Sequence, residues 1–410
     1  MKYILIIGDG MADDPVEALG GRTPLETAKI PTMDRLAAAG LLGSVCNCPP
    51  KFAPGSDTAI MSIFGCDPNK YYTGRAPLEA AAQGISLREG DLAFRCNMAS
   101  LSEGDMPMAE REIVSHSGGS IEGEDSMTLV RDLFADPEFS AKAKAAGVNV
   151  YPSPSYRHIA VQSHGDGEGL IFSAPHEHLG DKAGQWLPRG NDNAGVLLDL
   201  MEASHKFLVK HPINVKRRAE GKLAANCIWF WAEGTAVTLP SFPEAYNKKG
   251  AVISAVPLCH GIGVLTGVTP VMVEGATGEL DTNYKGKVEA ALRCLKEDGY
   301  DFVGVHLEGP DECTHNGDLK GKLQAIEWLD SRVIAPILAG MEGEDFRMLI
   351  LSDHKTLSST RGHDAQPVPF IIYDSRERVP GSGLSYTEKN GLTGPMIPQG
   401  TALMGMLFGE

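Results

Sequence analysis

Three nearly continuous apolar segments of the chain are each followed closely by an acidic residue. The segments are residues 3–7, 301–307 and 347–351, and the acids that follow them are Asp9, Asp311 and Asp353. Runs of this length and composition are typical of parallel β-strands that are buried on both faces. The pattern therefore predicts three core strands whose carboxyl ends carry carboxylates.

Helical spacing of apolar residues separates these predicted strands. It indicates a helix that begins near Thr32 and ends before Gly40, and further helices at residues 285–298 and 318–339. Alternation of strands and helices indicates an α/β core, with a mainly parallel sheet flanked by helices and joined by right-handed crossovers.

The middle of the chain is richer in glycine and polar residues and has less regular periodicity. Strands are predicted there at residues 147–153 and 157–162, and a helix at residues 195–209. We interpret residues 80–245 as an inserted α+β cap domain. Residues 1–79 and 246–410 then form the α/β core.

The net charge of the chain limits the classes of partner that it is expected to bind. The 410 residues carry a formal net charge of −16, and such an acidic surface repels phosphate backbones and anionic lipids. We therefore expect neither a nucleic-acid nor a membrane partner.

The apolar run at residues 3–7 is too short for a signal peptide or a membrane span, and the eight scattered cysteines are typical of reduced thiols. These features predict a cytoplasmic protein and leave its oligomeric state open.

The acidic residues at the predicted strand ends indicate a metal site. Ligands of open α/β sheets bind beyond the carboxyl ends of the strands, and carboxylates that converge there repel one another unless cations are bound. His315 lies four residues after Asp311, and His354 directly follows Asp353. Together with His363, this mixture of carboxylate and imidazole suits zinc or manganese better than magnesium.

Ser56 is a second candidate for chemistry. The segment Pro54-Gly55-Ser56-Asp57-Thr58-Ala59 is typical of a helix N-terminus with Ser56 at or near the cap. A capping serine is one interpretation. The other is a nucleophile, because a helix N-terminus favours phosphate and a nearby divalent metal helps a serine hydroxyl to ionise.

Several short motifs, in this order along nearly the whole chain, resemble the archaeal-type cofactor-independent phosphoglycerate mutases of the alkaline phosphatase superfamily. They are Gly8-Asp9-Gly10-Met11, Pro54-Gly55-Ser56-Asp57, Tyr72-Thr73-Gly74-Arg75, Gly275-Ala276-Thr277-Gly278 with Asp281-Thr282-Asn283, His306-Leu307-Glu308-Gly309-Pro310-Asp311 and Ser352-Asp353-His354. The resemblance implies an alkaline phosphatase-like core with an inserted cap.

The same resemblance implies a reaction and its cofactors. Ser56 would accept the phosphoryl group of 3-phosphoglycerate and return it to the neighbouring oxygen, without 2,3-bisphosphoglycerate, while the cap excludes water. Two divalent metal ions (Mn, Zn, Co or Mg) are implied. One would be held by Asp311, His315 and His363 and the other by Asp9, Ser56, Asp353 and His354.

The substrate implied by the resemblance is a small phosphorylated acid, and its candidate contacts are Arg75, Arg95, Asn97 and Arg157. Many family members have an arginine-rich cap segment where this chain has residues 115–120, without arginine. Residues 228–231 and 281–284 resemble a bacterial branch that has been proposed to contain homoserine kinases. Two alternatives therefore remain at this stage: a homoserine kinase-like phosphotransferase, and a non-catalytic metal-binding protein on the same fold.

Overall fold

A computed structural model describes residues 1–409 of the chain. The strands are β1 (Lys2–Gly8), β2 (Leu41–Val45), β3 (Leu92–Leu101), β4 (Ile113–Ser115), β5 (Val148–Tyr151), β6 (Arg157–Gln162), β7 (Cys227–Thr235), β8 (Gly250–Ile253), β9 (Thr269–Val271), β10 (Phe302–Leu307), β11 (Phe346–Leu351), β12 (Lys355–Leu357), β13 (Gly362–Asp364), β14 (Val368–Asp374) and β15 (Met396–Ile397).

The helices alternate with these strands along the chain. They are α1 (Pro24–Thr27), α2 (Pro31–Ala39), α3 (Ser56–Ile63), α4 (Pro68–Tyr71), α5 (Arg75–Ala82), α6 (Gly123–Ala135), α7 (Pro137–Ala145), α8 (Asp192–Leu208), α9 (Pro212–Ala219), α10 (Phe242–Tyr246), α11 (Pro257–Thr266), α12 (Tyr284–Lys296), α13 (Gly309–His315), α14 (Leu319–Leu329), α15 (Ala335–Gly340), α16 (Glu388–Gly391) and α17 (Leu403–Phe408).

The chain divides into two compact units. The first comprises Met1–Tyr72 and the chain from Thr238 onwards, and the second is Thr73–Val237. The observed boundaries, at 72/73 and 237/238, lie a little earlier in the chain than the predicted boundaries at 79/80 and 245/246. Among residues 1–409, none of the helices is both long and apolar enough to cross a membrane.

The first unit is built on a sheet with the strand order β15-β2-β14-β11-β1-β10-β8-β9. The strands from β11 to β9 run parallel, whereas β14 is antiparallel to both β11 and β2. Ile4, Leu5 and Ile6 of β1 have no exposed surface, because helices cover both faces of the parallel region. The predicted α/β class with a mainly parallel sheet is confirmed.

One predicted helix of this unit is interrupted. The apolar spacing over residues 318–339 indicated a single helix, but the chain forms α14, a π-helical turn at Asp330–Ile334 and then α15. Pro336 explains the interruption. It has no N–H to donate to the carbonyl four residues earlier and its ring would clash with that carbonyl, so the backbone opens by one residue there.

The second unit has an antiparallel sheet in which β3 pairs with both β6 and β7. Strand β5 extends the sheet beyond β6, and helix α8 packs against β7. Trp229 and Phe230 of β7 are fully buried in the core of this unit with Phe94. This unit has the mixed α+β content that the sequence predicts for the inserted segment.

Candidate active site

Sheet topology brings the predicted acidic residues of the first unit to one edge. Strand β1 lies between β10 and β11, and all three run in the same direction. Asp9 directly follows β1, Asp353 lies two residues beyond β11, and Asp311 lies in α13 just after β10. Because the carboxyl ends of parallel strands meet at the same edge, side chains from distant parts of the sequence converge there.

The first group at this edge is formed by Asp9, Asp353 and His354, whose potential ligand atoms all lie within 4.8 Å of one another. One oxygen of each carboxylate is held by the protein. Oδ1 of Asp353 accepts from the backbone N–H groups of Gly10 (3.1 Å) and His354 (2.8 Å), and Oδ2 of Asp9 lies 2.9 Å from Nε2 of His306. The other oxygens, Asp9 Oδ1 and Asp353 Oδ2, are buried and make no hydrogen bond within the described chain.

The second group is formed by Asp311, His315 and His363. Each histidine directs Nδ1 at a backbone carbonyl, His315 at that of Arg361 (2.8 Å) and His363 at that of Pro54 (3.2 Å). A carbonyl only accepts, so Nδ1 carries a proton, and when the ring is neutral its lone pair lies on Nε2. The two Nε2 atoms lie 3.0 Å apart, and two such lone pairs at this distance require a cation or a proton between them.

The electrostatics of the first group favour a bound cation, whereas in the second group the histidines already compensate the carboxylate. Burial, followed by repulsion from Asp353 and Asp311, raises the pKa of Asp9 well above its usual value. The carboxylate is therefore costly to ionise unless positive charge is supplied. Burial also acts to raise the pKa of Asp311, but hydrogen bonds with His315 and His363 outweigh it and hold that pKa well below its usual value. The hydrogen bond with Asp311 raises the pKa of His315 to about 9.

These residues fit two divalent metal ions. Buried carboxylate oxygens without partners, and imidazole nitrogens whose other ring atom is already anchored, are the arrangement that metal ligands need. The side chain of Asp9 is 1% exposed, whereas that of His315 is 33% exposed, so the second group is the more open to solvent. The family resemblance implied the same division of these ligands into two sets, with Ser56 added to the set of Asp9.

Ser56 lies against the first group. Its Oγ is 3.2 Å from Oδ2 of Asp9 and 3.2 Å from Nε2 of His354. It is the first residue of α3; the capping position belongs to Gly55, and the hydrogen bonds of the Ser56 hydroxyl go to Asp9 and His354 and not to the N–H groups of the helix. The interpretation of Ser56 as a capping residue was therefore wrong. Its hydroxyl is engaged with the predicted metal ligands instead of the helix backbone.

Three residues that support these groups were missed by sequence reasoning. Asn47 donates to the backbone carbonyl of Asp353 (2.8 Å), and Thr356 donates to Oδ1 of Asp311 (2.5 Å). Gly10 has φ +59°, and a side chain there would collide with Asp311 and Thr356. The Gly-Asp-Gly sequence signals the need for Gly10. Nothing in the sequence signals Asn47 or Thr356, because their contacts span the fold.

The predicted substrate contacts belong to the second unit, where two of them share one carboxylate. Arg95 forms a buried ion pair with Glu79, and Arg75 reaches the same carboxylate at 3.2 Å. Burial acts to raise the pKa of Glu79, but the arginines outweigh it and lower that pKa to about 2. Asn97 accepts a hydrogen bond from the indole N–H of Trp231 (3.0 Å), over which Arg95 stacks.

Arg157 differs from the other predicted contacts. Its Nη2 donates to the hydroxyl of Tyr156 (3.0 Å), but its Nε is buried and makes no hydrogen bond within residues 1–409. A buried guanidinium nitrogen without a partner is an available donor for an anion. Arg157 is therefore the predicted contact whose surroundings best suit anion binding.

Comparisons with known proteins identify the family that the chain resembles over its whole length. A family model described as 2,3-bisphosphoglycerate-independent phosphoglycerate mutase matches residues 37–214. A protein of that name from Methanosarcina mazei is 43% identical over 411 residues, which cover 100% of both chains. A probable 2,3-bisphosphoglycerate-independent phosphoglycerate mutase from Geobacter sulfurreducens is 40% identical, also over 100% of both chains.

Two solved structures are similar over the whole chain. PH0037 protein from Pyrococcus horikoshii aligns with a TM-score of 0.80 and 31% identity, covering 100% of this chain and 97% of that one. A cofactor-independent phosphoglycerate mutase from Thermoplasma acidophilum aligns with a TM-score of 0.64 and 27% identity, covering 100% and 99%. The aligned regions therefore extend through both units.

Proposed function

The chain belongs to the 2,3-bisphosphoglycerate-independent phosphoglycerate mutase family, and from this membership we propose that it interconverts 3-phosphoglycerate and 2-phosphoglycerate. The observation that carries the proposal is Ser56 at the N-terminus of α3, with its Oγ 3.2 Å from both Asp9 and His354. This interconversion belongs to glycolysis and gluconeogenesis, and a cytoplasmic location is part of the proposal.

The chemical step uses Ser56 as a carrier of the phosphoryl group. Oγ of Ser56 forms a bond to phosphorus as the bond between phosphorus and one glycerate oxygen breaks; Oδ2 of Asp9 accepts the hydroxyl proton, and the departing oxygen takes up a proton to become a glycerate hydroxyl. The N–H groups of the first turn of α3 favour the transferred anion. Glycerate then turns, and its neighbouring hydroxyl takes the phosphoryl group back from Ser56. Free 2,3-bisphosphoglycerate is not needed, because the phosphoryl group remains on the chain between the two transfers.

Metal ligands are assigned within the same proposal. Asp311, His315 and His363 would hold one divalent ion. Asp9, Asp353 and His354, with Ser56, would hold the other. When bound, such ions would supply Lewis-acid chemistry that favours the ionised serine and neutralises phosphate charge. Mixed oxygen and nitrogen ligands suit manganese, zinc or cobalt.

The substrate contacts form the remaining part of the proposal. Arg157 would bind an anionic group of the substrate through its buried Nε, which has no hydrogen bond in the described chain. Arg75, Arg95 and Asn97 would support it. Glu79 neutralises part of the charge of Arg75 and Arg95, so Arg157 is the least compensated of the three arginines.

An activity assay tests the function directly. Metal-loaded protein is given 3-phosphoglycerate without 2,3-bisphosphoglycerate, and 2-phosphoglycerate is detected through enolase. A parallel reaction contains ATP and homoserine. We expect 2-phosphoglycerate in the first reaction and no phosphohomoserine in the second. Product in the second reaction alone would support the kinase alternative, and product in neither would support a non-catalytic metal-binding protein.

Replacement of the proposed nucleophile tests the mechanism. We expect Ser56→Ala to lower turnover by roughly a thousandfold or more, because the phosphoryl acceptor is lost. Its free energy of unfolding should change by only about 0.5 kcal/mol, since Ser56 makes no capping hydrogen bond. Ser140→Ala in α7 is the matched control and should change neither quantity. A Ser56→Ala protein that turns over normally would contradict the proposed mechanism.

A further inference from the structure

A chain of hydrogen bonds crosses the carboxyl ends of three neighbouring parallel strands beside Asp9. Strands β1, β10 and β8 are adjacent; Asp9 follows β1, His306 is the penultimate residue of β10, and Ser254 follows β8. The Oγ atom of Ser254 lies 3.0 Å from Nδ1 of His306, and Nε2 of His306 lies 2.9 Å from Oδ2 of Asp9. Each of the three residues is 1% exposed, so water does not compete for these bonds.

The direction of the hydrogen bonds follows from their partners. The backbone N–H of Val256 donates to Oγ of Ser254 (3.0 Å), which leaves the hydroxyl proton free to point at Nδ1 of His306. The proton of the neutral imidazole then lies on Nε2 and is donated to Asp9. The other tautomer would place a lone pair against a carboxylate oxygen. The buried Nζ of Lys287 also donates to the backbone carbonyl of His306 (3.0 Å), which fixes the strand at this residue.

This chain of hydrogen bonds gives the two carboxylate oxygens of Asp9 different surroundings. Oδ2 is engaged by His306, whereas Oδ1 is buried and makes no hydrogen bond within the described residues. We propose that Ser254 and His306 are positioning residues, which orient Asp9 so that Oδ1 binds a divalent cation. The inference rests on the proposed metal-dependent function. Partners of this kind, which hold a ligand without touching the metal, typically change metal affinity by about 10–100-fold.

Metal affinity, measured without substrate, tests the role of His306. Dissociation constants for Mn²⁺ are obtained by competition with a fluorescent chelator in a His315→Ala background, which leaves the Asp9 group as the intact site. We expect His306→Leu to weaken binding by about 10–100-fold, because Oδ2 of Asp9 loses its shorter hydrogen bond, from the imidazole, and keeps only the one from the hydroxyl of Ser56. His306→Gln should bind within about threefold of its parent, because the amide nitrogen of glutamine can take the place of Nε2.

Ser254→Ala provides a second variant, with Ser44→Ala as its matched control. Both serines are buried, but Oγ of Ser44 makes no hydrogen bond within the described chain. We expect Ser254→Ala to weaken Mn²⁺ binding by several-fold and Ser44→Ala to leave it unchanged. Unchanged affinity in Ser254→Ala would overturn the proposal, and this variant decides the matter if His306→Leu does not fold. Equal affinities of His306→Leu and His306→Gln would overturn it as well.

Failure of this inference is distinguishable from failure of the proposed function. Unmutated protein that binds no metal and forms no 2-phosphoglycerate would contradict the proposed function, and with it the positioning role. Unmutated protein that binds metal and is active, while all variants at positions 254 and 306 match their parent, would overturn the positioning role alone.

Discussion

At the scale of single residues, burial decides which form of a titratable group the fold can contain. His158, on β6, has no exposed surface. Its Nδ1 accepts from the backbone N–H of Ser153 (3.0 Å), and its Nε2 lies 3.3 Å from Oγ of Ser126. Since Nδ1 is already an acceptor, a second proton on the ring would break this bond. Burial lowers the pKa of His158 to about 4.

We therefore expect His158 to make the protein sensitive to acid. Between about pH 6.5 and pH 4 the unfolded chain binds a proton at this residue and the folded chain does not, so stability falls as the pH is lowered through this range. The free energy of unfolding should drop by roughly 2 kcal/mol more in the parent than in His158→Gln between pH 7 and about pH 5. Denaturant unfolding at both pH values measures it. His164→Asn, at an exposed histidine, is the control and should lose as much stability as the parent. An equal loss of unfolding free energy between the two pH values in all three proteins would contradict the expectation.

At the scale of secondary-structure elements, helix α2 depends on a residue from far along the chain. Its own N-cap, Ile30, provides no side-chain hydrogen bond. The carboxylate of Asp330 accepts from the backbone N–H groups of Thr32 (3.2 Å) and Met33 (2.6 Å) instead. Asp330 begins the π-helical turn that interrupts the predicted helix, so the interruption places a capping carboxylate against α2.

Replacement of this carboxylate should destabilise the first unit. We expect Asp330→Ala to lower the free energy of unfolding by roughly 1–3 kcal/mol, because two N–H groups of α2 lose their acceptor. Ser331→Ala, one residue further along the same turn, should change it by less than about 0.5 kcal/mol. Denaturant unfolding of the three proteins compares these values. Equal stability of Asp330→Ala and its parent would show that water replaces the carboxylate without loss.

At the scale of the whole molecule, the negative charge of the chain includes carboxylates that are buried close to one another. The chain has a formal net charge of −16, and three of its carboxylates converge within one buried region. Repulsion of this kind destabilises the folded chain unless cations are bound there. Metal binding should therefore contribute to the stability of the entire protein as well as to its activity.

Removal of metal tests this contribution. We expect EDTA to lower the melting temperature and Mn²⁺ to restore it. When the free metal concentration exceeds the dissociation constant a hundredfold, bound Mn²⁺ should raise the free energy of unfolding by about 2.7 kcal/mol. Asp311→Asn should reduce the effect of Mn²⁺, whereas Asp125→Asn, at an exposed position on α6, should leave it intact. Differential scanning calorimetry measures these shifts. If neither EDTA nor Mn²⁺ changes the melting temperature of the unmutated protein, the proposed metal centre is contradicted.

The sequence alone determined the class of fold and the set of candidate ligands. Apolar runs that are followed closely by Asp9, Asp311 and Asp353 are typical of strands buried on both faces, and the carboxyl ends of parallel strands meet at one edge. Local spacing then adds His315 and His354. These conclusions needed only neighbouring residues in the chain, which is why pattern and periodicity were sufficient.

Only the tertiary structure decided how those residues are held. The bond from the N–H of Gly10 to Asp353 joins residues 343 positions apart, and the one from His306 to Asp9 joins residues 297 positions apart. Such contacts fix which carboxylate oxygen is left without a partner, and no local pattern encodes them. The same reason explains why the local pattern around Ser56 left both a cap and a nucleophile open: its partners Asp9 and His354 come from distant parts of the chain, and only the fold brings them together.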